Sequence, residues 1–545
     1  MPETDTENAK KRKYPGFRKN FKAYFFQYSD STSIHGVRYL GQYQRNLLER
    51  LCWSLVIAIS LYLCLTLIVT TYEKWVTSPV IVSFARSYTP VWKIPFPAIT
   101  VCPETKTKQR VYNFTNEYHR FHENPGNMTE AEIRMFEQVS LVCNKNLHTE
   151  GDKIIDYDAL EFLTKVAPTF DDVLWQCKWL NLNRTCSELL TPVITEEGIC
   201  FTFNMLDREE LFTKDVFHQG NFSQSGMKSI GWTLENGYPD SEGLETFPNR
   251  AVASGQQACL SLLMHLFEPD LDYLCKGAIQ GFKILLHSPA ETPRVSEQYF
   301  RASLNQEVVV TIKPDRMTTS DGLRGYTPES RQCYFANERF LKYYRIYTQK
   351  NCEVECLTNI TLQLCNCVAF YMPHESSTKI CGSGSALCMK EANAEMFNKE
   401  IKVGLEKNKY AKERCNCLPS CSSLTYNAES SQADYNWPKV FEAFHVNFSE
   451  FPGVAFTRVF FFFKEQQFIT SERNELYGFA DFLASCGGLL GLFIGFSFLS
   501  IIEILYFLSI RLLANMKRYG RRFWSGTAEL LEDDHYKYNT KLKNK

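Results

Sequence analysis

Two stretches of the chain are apolar well beyond what a buried core element needs. Residues 51–72, LCWSLVIAISLYLCLTLIVTTY, run without a charge. As a helix they are long enough to cross about 30 Å of hydrocarbon. Residues 482–509 carry a single charge, Glu503. Between these stretches the pattern changes to short apolar runs bounded by Gly, Pro and Asn, the period-two signature of strands. Strands are expected at residues 94–102, 198–204, 281–287 and 306–314, with one long strand at 454–470. Residues 104–180 read as helices and loops, and the charge-rich segment 390–414 as an exposed helix. Residues 1–34 read as a polar, basic, mobile tail. The result is an α+β membrane protein with two transmembrane helices and a large domain between them. The expected divisions are a tail at 1–50, a first span at 51–72, a central domain at 73–478, a second span at 479–510 and a tail at 511–545.

Charge sets the orientation. Residues 1–50 hold ten Lys/Arg against five Asp/Glu, and residues 511–545 hold nine against four, although the whole chain is at −1. Basic ends around an acidic middle place both termini in the cytoplasm by the positive-inside rule. The stretch at 51–72 follows about fifty polar residues and precedes no small-residue cleavage site, so it is not expected to be a signal peptide. Six N-x-S/T sequons, at Asn113, Asn127, Asn183, Asn221, Asn359 and Asn447, all lie between the spans and are expected to carry glycans. Seventeen of twenty cysteines lie there too, as an oxidising compartment and a disulfide framework require.

The cysteines crowd between residues 333 and 421, in "NCEVEC", "LCNC" and "RCNCLPSC". Such clusters can bind zinc, but no histidine stands at a suitable spacing, and disulfides fit the compartment better. No metal site or cofactor is expected, and no nucleic-acid partner. H-E-x-x-H, G-x-S-x-G and phosphate-loop signatures are absent, so an enzyme is not expected.

The second span is unusual. Gly487, Gly491 and Gly495 recur every four residues, a small-xxx-small pattern that lets helices approach closely in lipid. Glycine also lets a backbone leave helical geometry. Carbonyls freed in this way are tolerated at membrane depth only where they are buried or line a wet cavity. Gly495-Phe496-Ser497 can therefore ring a partly dehydrated cation with oxygen atoms. Glu503, six residues on, either reaches the inner interface or pairs with Arg511, or else joins other copies in a ring that concentrates cations. Asp481 stands at the opposite mouth.

Five motifs in order, His35-Gly36, "FPAITVC", "GICFTFN", "CNCLPSC" and "GGLLGLFIGFS", make the chain resemble the degenerin/epithelial sodium channel family, most of all its arthropod pickpocket branch. The resemblance covers residues 35 to 511. It implies a trimer, homomeric or built with related subunits, in the plasma membrane. Each ectodomain has a β palm with helical finger, thumb and knuckle parts. It implies sodium conduction, block by amiloride and transient sodium at Gly495 and Ser497. Ala484 matches a gate position, Gly491 a position near the amiloride site, and His35-Gly36 a loop that supports the filter from below. Phe496 departs from the small residue common at the middle of the filter.

The implied disulfides are Cys102–Cys200, Cys177–Cys186, Cys333–Cys421, Cys352–Cys417, Cys356–Cys415, Cys365–Cys388 and Cys367–Cys381. A further bridge, Cys259–Cys275, is implied by the branch and leaves Cys143 single. A two-span channel of the ATP-gated kind shares the topology but fits the cysteines and filter less well. A non-conducting accessory or adhesion subunit explains the sequons and cysteines but not Gly-x-Ser followed by Glu503.

Overall fold

The computed structural model describes residues 15–42, 45–77, 80–143, 150–156, 158–218, 220–240, 243, 245–405, 415–446, 452–528 and 530–531. Asn447 and residues 406–414 of the expected exposed helix lie outside these. The chain forms two compact units, one of residues 82–474 and one that combines residues 1–81 with 475–545.

The central unit is built on two sheets. Gln306–Thr319 is the hub of the larger one. On one side it pairs antiparallel with Ser423–Asp434. On the other it pairs parallel with Val454–Phe463 and then with Gln467–Glu475. The single long strand expected at 454–470 is thus two strands in line. Residues 464–466 bulge out between them, and pairing to the hub resumes three residues out of step. Alternation decides which side chains enter the core: Val308, Val310 and Ile312 point in, as do Val459, Phe461 and Phe463. In the smaller sheet Ala98–Pro103 lies between Gly198–Phe203 and Phe282–His287 and is buried at every position. It is covered on both faces, which is why its sequence shows no alternation. Residues 94–97, expected as strand, precede it without pairing as one. Ile99, Val101, Phe201 and Phe203 of the smaller sheet meet the larger sheet's inward residues in one core.

Helices sit on this base. Phe114–Glu123 and Glu130–Ser140 stack Phe114 on Phe136, with ring centroids 5.3 Å apart. Thr129 and Glu132 cap the second of these reciprocally. Gln349–Cys365 and Ala386–Leu405 are joined by Cys365–Cys388. Asn127, Asn183, Asn221 and Asn359 are exposed. Asn113 is half-buried and its side-chain oxygen caps a helix.

Eight disulfides form among the described residues. Seven join the pairs implied by the family pattern. The cysteines of the dense block are therefore bonded to one another rather than arranged around a metal. The eighth bridge corrects the expectation: Cys275 pairs with Cys143, and Cys259 is a buried free thiol. Cys259 precedes the strand Leu260–Phe267, whereas Cys275 lies beyond its far end. Eight residues rising about 3.3 Å each keep the two apart. Cys275 is packed instead with Phe114, Phe136, Val139 and Cys143. Cys259→Ser should leave all eight bridges intact in a non-reducing mass map. Cys143→Ser should free Cys275 and cost about 4–5 kcal/mol on the chain-entropy scale for a loop of this length.

One buried charge cluster stands out. The Glu197 carboxylate accepts from Lys106 (3.0 Å), Lys276 (3.0 Å) and Lys283 (2.6 Å), and all four side chains are nearly inaccessible. Burial alone would raise the Glu197 pKa. The ammonium groups of Lys106 and Lys276, with the hydrogen bond from Lys283, outweigh it and hold the carboxyl well below its usual range. Burial pulls Lys106 down to about 8 despite Glu197.

In the other unit, Leu47–Thr77 and Phe498–Tyr519 are long and apolar enough to span a membrane, and Phe479–Ile494 is a shorter apolar helix. The tail expected to be mobile contains a helix, Phe17–Ser31. Its Phe17, Tyr24 and Tyr28 pack on Trp524 and Phe507. Asn20, 1 % exposed, donates to Arg522 O (3.0 Å) and accepts from the buried Ser525 hydroxyl (2.8 Å).

Candidate functional site: a broken apolar helix and the loop beneath it

The helix Phe479–Ile494 begins where the Gly478 N–H donates to Asp481 (3.1 Å). A carboxylate in the first turn stabilises the helix end, so Asp481 has a local structural role whatever else it does. The helix leans on Leu47–Thr77 through Phe482, which stacks on Trp75 (4.9 Å) and meets Tyr72 edge-on (6.2 Å). Asp481, Ala484, Gly487 and Gly491 are all exposed. Their spacing of three or four residues puts them on one face. A methyl group added at Gly487 or Gly491 would meet nothing within 4 Å. Within one chain, then, the glycine pattern does not serve packing on the first span.

The break comes where the sequence places it. Gly495 is left-handed (φ 65°, ψ 25°), and its N–H donates to Gly491 O (2.9 Å). Ser497 is extended and caps the following helix. The Ser497 N–H donates to Ser500 Oγ (3.1 Å), and the Ser500 N–H returns to Ser497 Oγ (3.4 Å).

The His-Gly loop lies directly against this break. The His35 N–H donates to Ile494 O (2.9 Å), a carbonyl at the end of the helix. A Cβ on Gly495 would collide with the His35 ring. Gly36 turns the loop at φ 85°, and a methyl there would press on Ile57 at 3.0 Å. Tyr39 then stacks on Trp53 (4.3 Å), seating the loop on the first span.

Glu503 is held by the same loop. Ser33 donates to its carboxylate from both the backbone N–H (3.2 Å) and the hydroxyl (3.1 Å). Ser33 Oγ also contacts Ser500 Oγ (2.9 Å). A polar chain therefore runs from Ser497 through Ser500 and Ser33 to Glu503. The alternative of a Glu503–Arg511 pair gives way to these contacts, with the Arg511 guanidinium over the Phe507 ring (5.3 Å). Ser33 and Ser500 escaped sequence reasoning. A serine two residues before His-Gly carries no spacing signal, and a serine in a span usually bonds its own helix backbone.

Two membrane-long helices, the second preceded by a shorter apolar helix that breaks off at Gly-x-Ser against an N-terminal loop, with a disulfide-stapled β unit between them in sequence, mark a two-span membrane protein of the channel type. The family model for the amiloride-sensitive sodium channel matches residues 28–507, and the chain belongs to that family. It is a cation-channel subunit and not an enzyme. Pickpocket protein 28 of Drosophila melanogaster is 28% identical over 501 residues, covering 89% of this chain and 78% of that protein. Sodium channel protein Nach of the same species is 22% identical over 512 residues, 89% of this chain and 87% of its own length. Human acid-sensing ion channel 2 is 22% identical over 504 residues, 88% and 84%.

Proposed function

We propose that the chain forms a sodium-preferring, amiloride-sensitive channel in the plasma membrane, as a trimer of itself or with related subunits, with both termini in the cytoplasm. The helix break at Gly495–Ser497, with a small-residue face left open above it and Glu503 tethered below it, carries this reading. The open face of Asp481, Ala484, Gly487 and Gly491 is narrow enough for three copies to meet around an axis while the first spans contact lipid. Oxygen atoms at Gly495 and Ser497 then replace water around the ion, and three copies of Glu503 raise the local cation concentration. The central unit carries the gating stimulus, and its disulfide-joined helices give it stiffness. Voltage clamp of expressing cells, with sodium replacement and amiloride, tests the assignment: inward current that follows sodium and falls with amiloride supports it. Robust surface expression with no current under acid, peptide, osmotic and stretch stimuli favours an accessory subunit.

Glu503→Gln should lower single-channel sodium conductance severalfold, since each copy loses a full charge. Ser33→Ala should keep the charge and the backbone hydrogen bond to it while removing the hydroxyl one, giving a smaller fall in conductance. Equal conductance in wild type and Glu503→Gln removes the carboxylate ring from the mechanism.

A further inference from the structure

A pocket of about 240 Å³ lies in the central unit where three hydrophobic clusters face one another. Trp232, Leu234 and Ile346 come from one cluster, Phe335 from a second and Tyr347 from a third. One side is the turn at residues 233–237, closed by reciprocal backbone hydrogen bonds between Thr233 and Gly237 (3.1 and 2.8 Å). Ser420 and Ser422 form another side. They alternate with Cys421, which is bonded to Cys333. An apolar cavity of roughly 150 Å³ takes benzene, so this pocket has room for a ring and a group attached to it.

The polar lining is lopsided toward donors. Trp232, Ser420 and Ser422 are 6 %, 9 % and 7 % exposed. Among the described residues, neither the indole N–H nor either hydroxyl has a hydrogen-bond partner. The exposed Arg345 guanidinium has no ion pair or hydrogen bond there either, although its backbone N–H donates to Leu211 O (3.0 Å). Neighbouring polar groups are engaged. The Tyr347 hydroxyl donates to Leu418 O (2.5 Å), and the Thr233 hydroxyl accepts from the Asn236 N–H (3.0 Å). Glu235 accepts from Arg324 (3.1 Å), whose guanidinium lies over the Phe335 ring (4.5 Å). A guanidinium and an indole N–H can only donate, and a hydroxyl can donate as well as accept. The charge left over in the lining is a cation.

From this lining we propose that the pocket binds a small organic anion, a carboxylate carried on one apolar ring. The carboxylate accepts from Arg345, the pairing in which guanidinium and carboxylate match in shape and charge, and from the serine hydroxyls. The ring lies among Trp232, Leu234 and Ile346. A pocket for a cation would present free acceptors, and one for a hydrocarbon would not gather four free donors. Residues 345–347 lead into the helix Gln349–Cys365, and Ser422 leads into the strand Ser423–Asp434 on the hub of the larger sheet. A bound anion thus touches the approach to the disulfide-joined helices and the approach to the sheet, and links their positions.

The test uses the purified full chain in detergent, titrated with benzoate, with benzamide as its neutral counterpart and with benzamidinium as the charge-reversed one. Ligand-observed NMR should show saturable benzoate binding, with the other two at least tenfold weaker. Arg345→Met should weaken benzoate at least tenfold, and Arg345→Lys, which keeps the charge, should weaken it less. Ser422→Leu, which removes a donor and takes up space, should also weaken benzoate at least tenfold without changing the elution profile. In an electron-microscopy map of the wild-type chain with benzoate, density should appear between Trp232 and Arg345. Non-saturable binding, wild-type affinity in Arg345→Met, or ligand density elsewhere overturns the proposal. Equal affinity for benzamide or benzamidinium overturns the choice of an anion. Binding is read without current, so failure here leaves the pore assignment untouched, and the converse holds.

Discussion

Gly495→Ala is expected to reduce sodium current about tenfold or more at unchanged surface density, measured by voltage clamp beside surface biotinylation. Two penalties add. A side chain at φ 65° costs roughly 1–2 kcal/mol where glycine pays nothing, and 1.4 kcal/mol is a factor of ten in the population of the bent state. The added methyl also takes space that the His35 ring occupies, so the loop must withdraw, and its hydrogen bond to Ile494 O is placed at risk. The loop that would move also holds Glu503 through Ser33. One methyl group therefore acts on both the helix break and the carboxylate held beside the loop. His35→Ala relieves the collision and leaves the backbone hydrogen bond to Ile494 O available. If the loop is the route, the double variant should recover part of the current lost by Gly495→Ala alone. Wild-type current in Gly495→Ala would dismiss the break as the narrow point.

Glu197→Gln should be the most destabilising single change in the central unit away from the disulfides. Three ammonium groups would keep their burial and lose the carboxylate they share. Removing one partner of a buried ion cluster costs about 3–5 kcal/mol, a large part of a typical stability of about 5–15 kcal/mol. A lower melting temperature and poor delivery to the surface are expected. Glu197→Gln combined with Lys276→Met should regain part of the loss, because one uncompensated charge goes with it. The pH dependence has two parts of opposite sense. Glu197 titrates lower in the folded chain than its ordinary value of 4.5, so its contribution is present above that value and drains away as acid is added below it. Lys106 titrates at about 8 folded against 10.5 ordinarily. Between those values the unfolded chain holds more protons, so this lysine alone makes stability rise with pH there. Melting temperatures from pH 3 to 10 check both slopes, with Lys106→Met expected to abolish the alkaline one.

Much of the architecture was legible because its cause is local. An uncharged run of 22 residues has few alternatives to a span, and alternation in Val308–Ile312 gives a strand and its buried face together. The helix break was legible for the same reason, since Gly495 and Ser497 are residues that end and start helices. Other features carried a signal that charge or hydrophobicity masked. Four consecutive polar residues, 464–467, interrupt the alternation and mark the bulge. Phe17, Phe21, Tyr24 and Tyr28 form a helical stripe hidden among basic residues. The Cys143–Cys275 bridge and the hold of Ser33 on Glu503 depend on contacts between residues 132 and 470 positions apart. No pattern within a segment encodes these.

The seat of Asn20 on Arg522 and Ser525 has a practical corollary for handling the protein. The segments around Asn20 and around Arg522–Ser525 are fastened to each other, so neither is a neutral place to cut or insert a reporter. Deleting the last two dozen residues would strip the cover from Phe17 and Tyr24, loosening the segment that leads to Ser33. A fluorescent fusion is better placed after residue 531 than between Arg511 and Trp524.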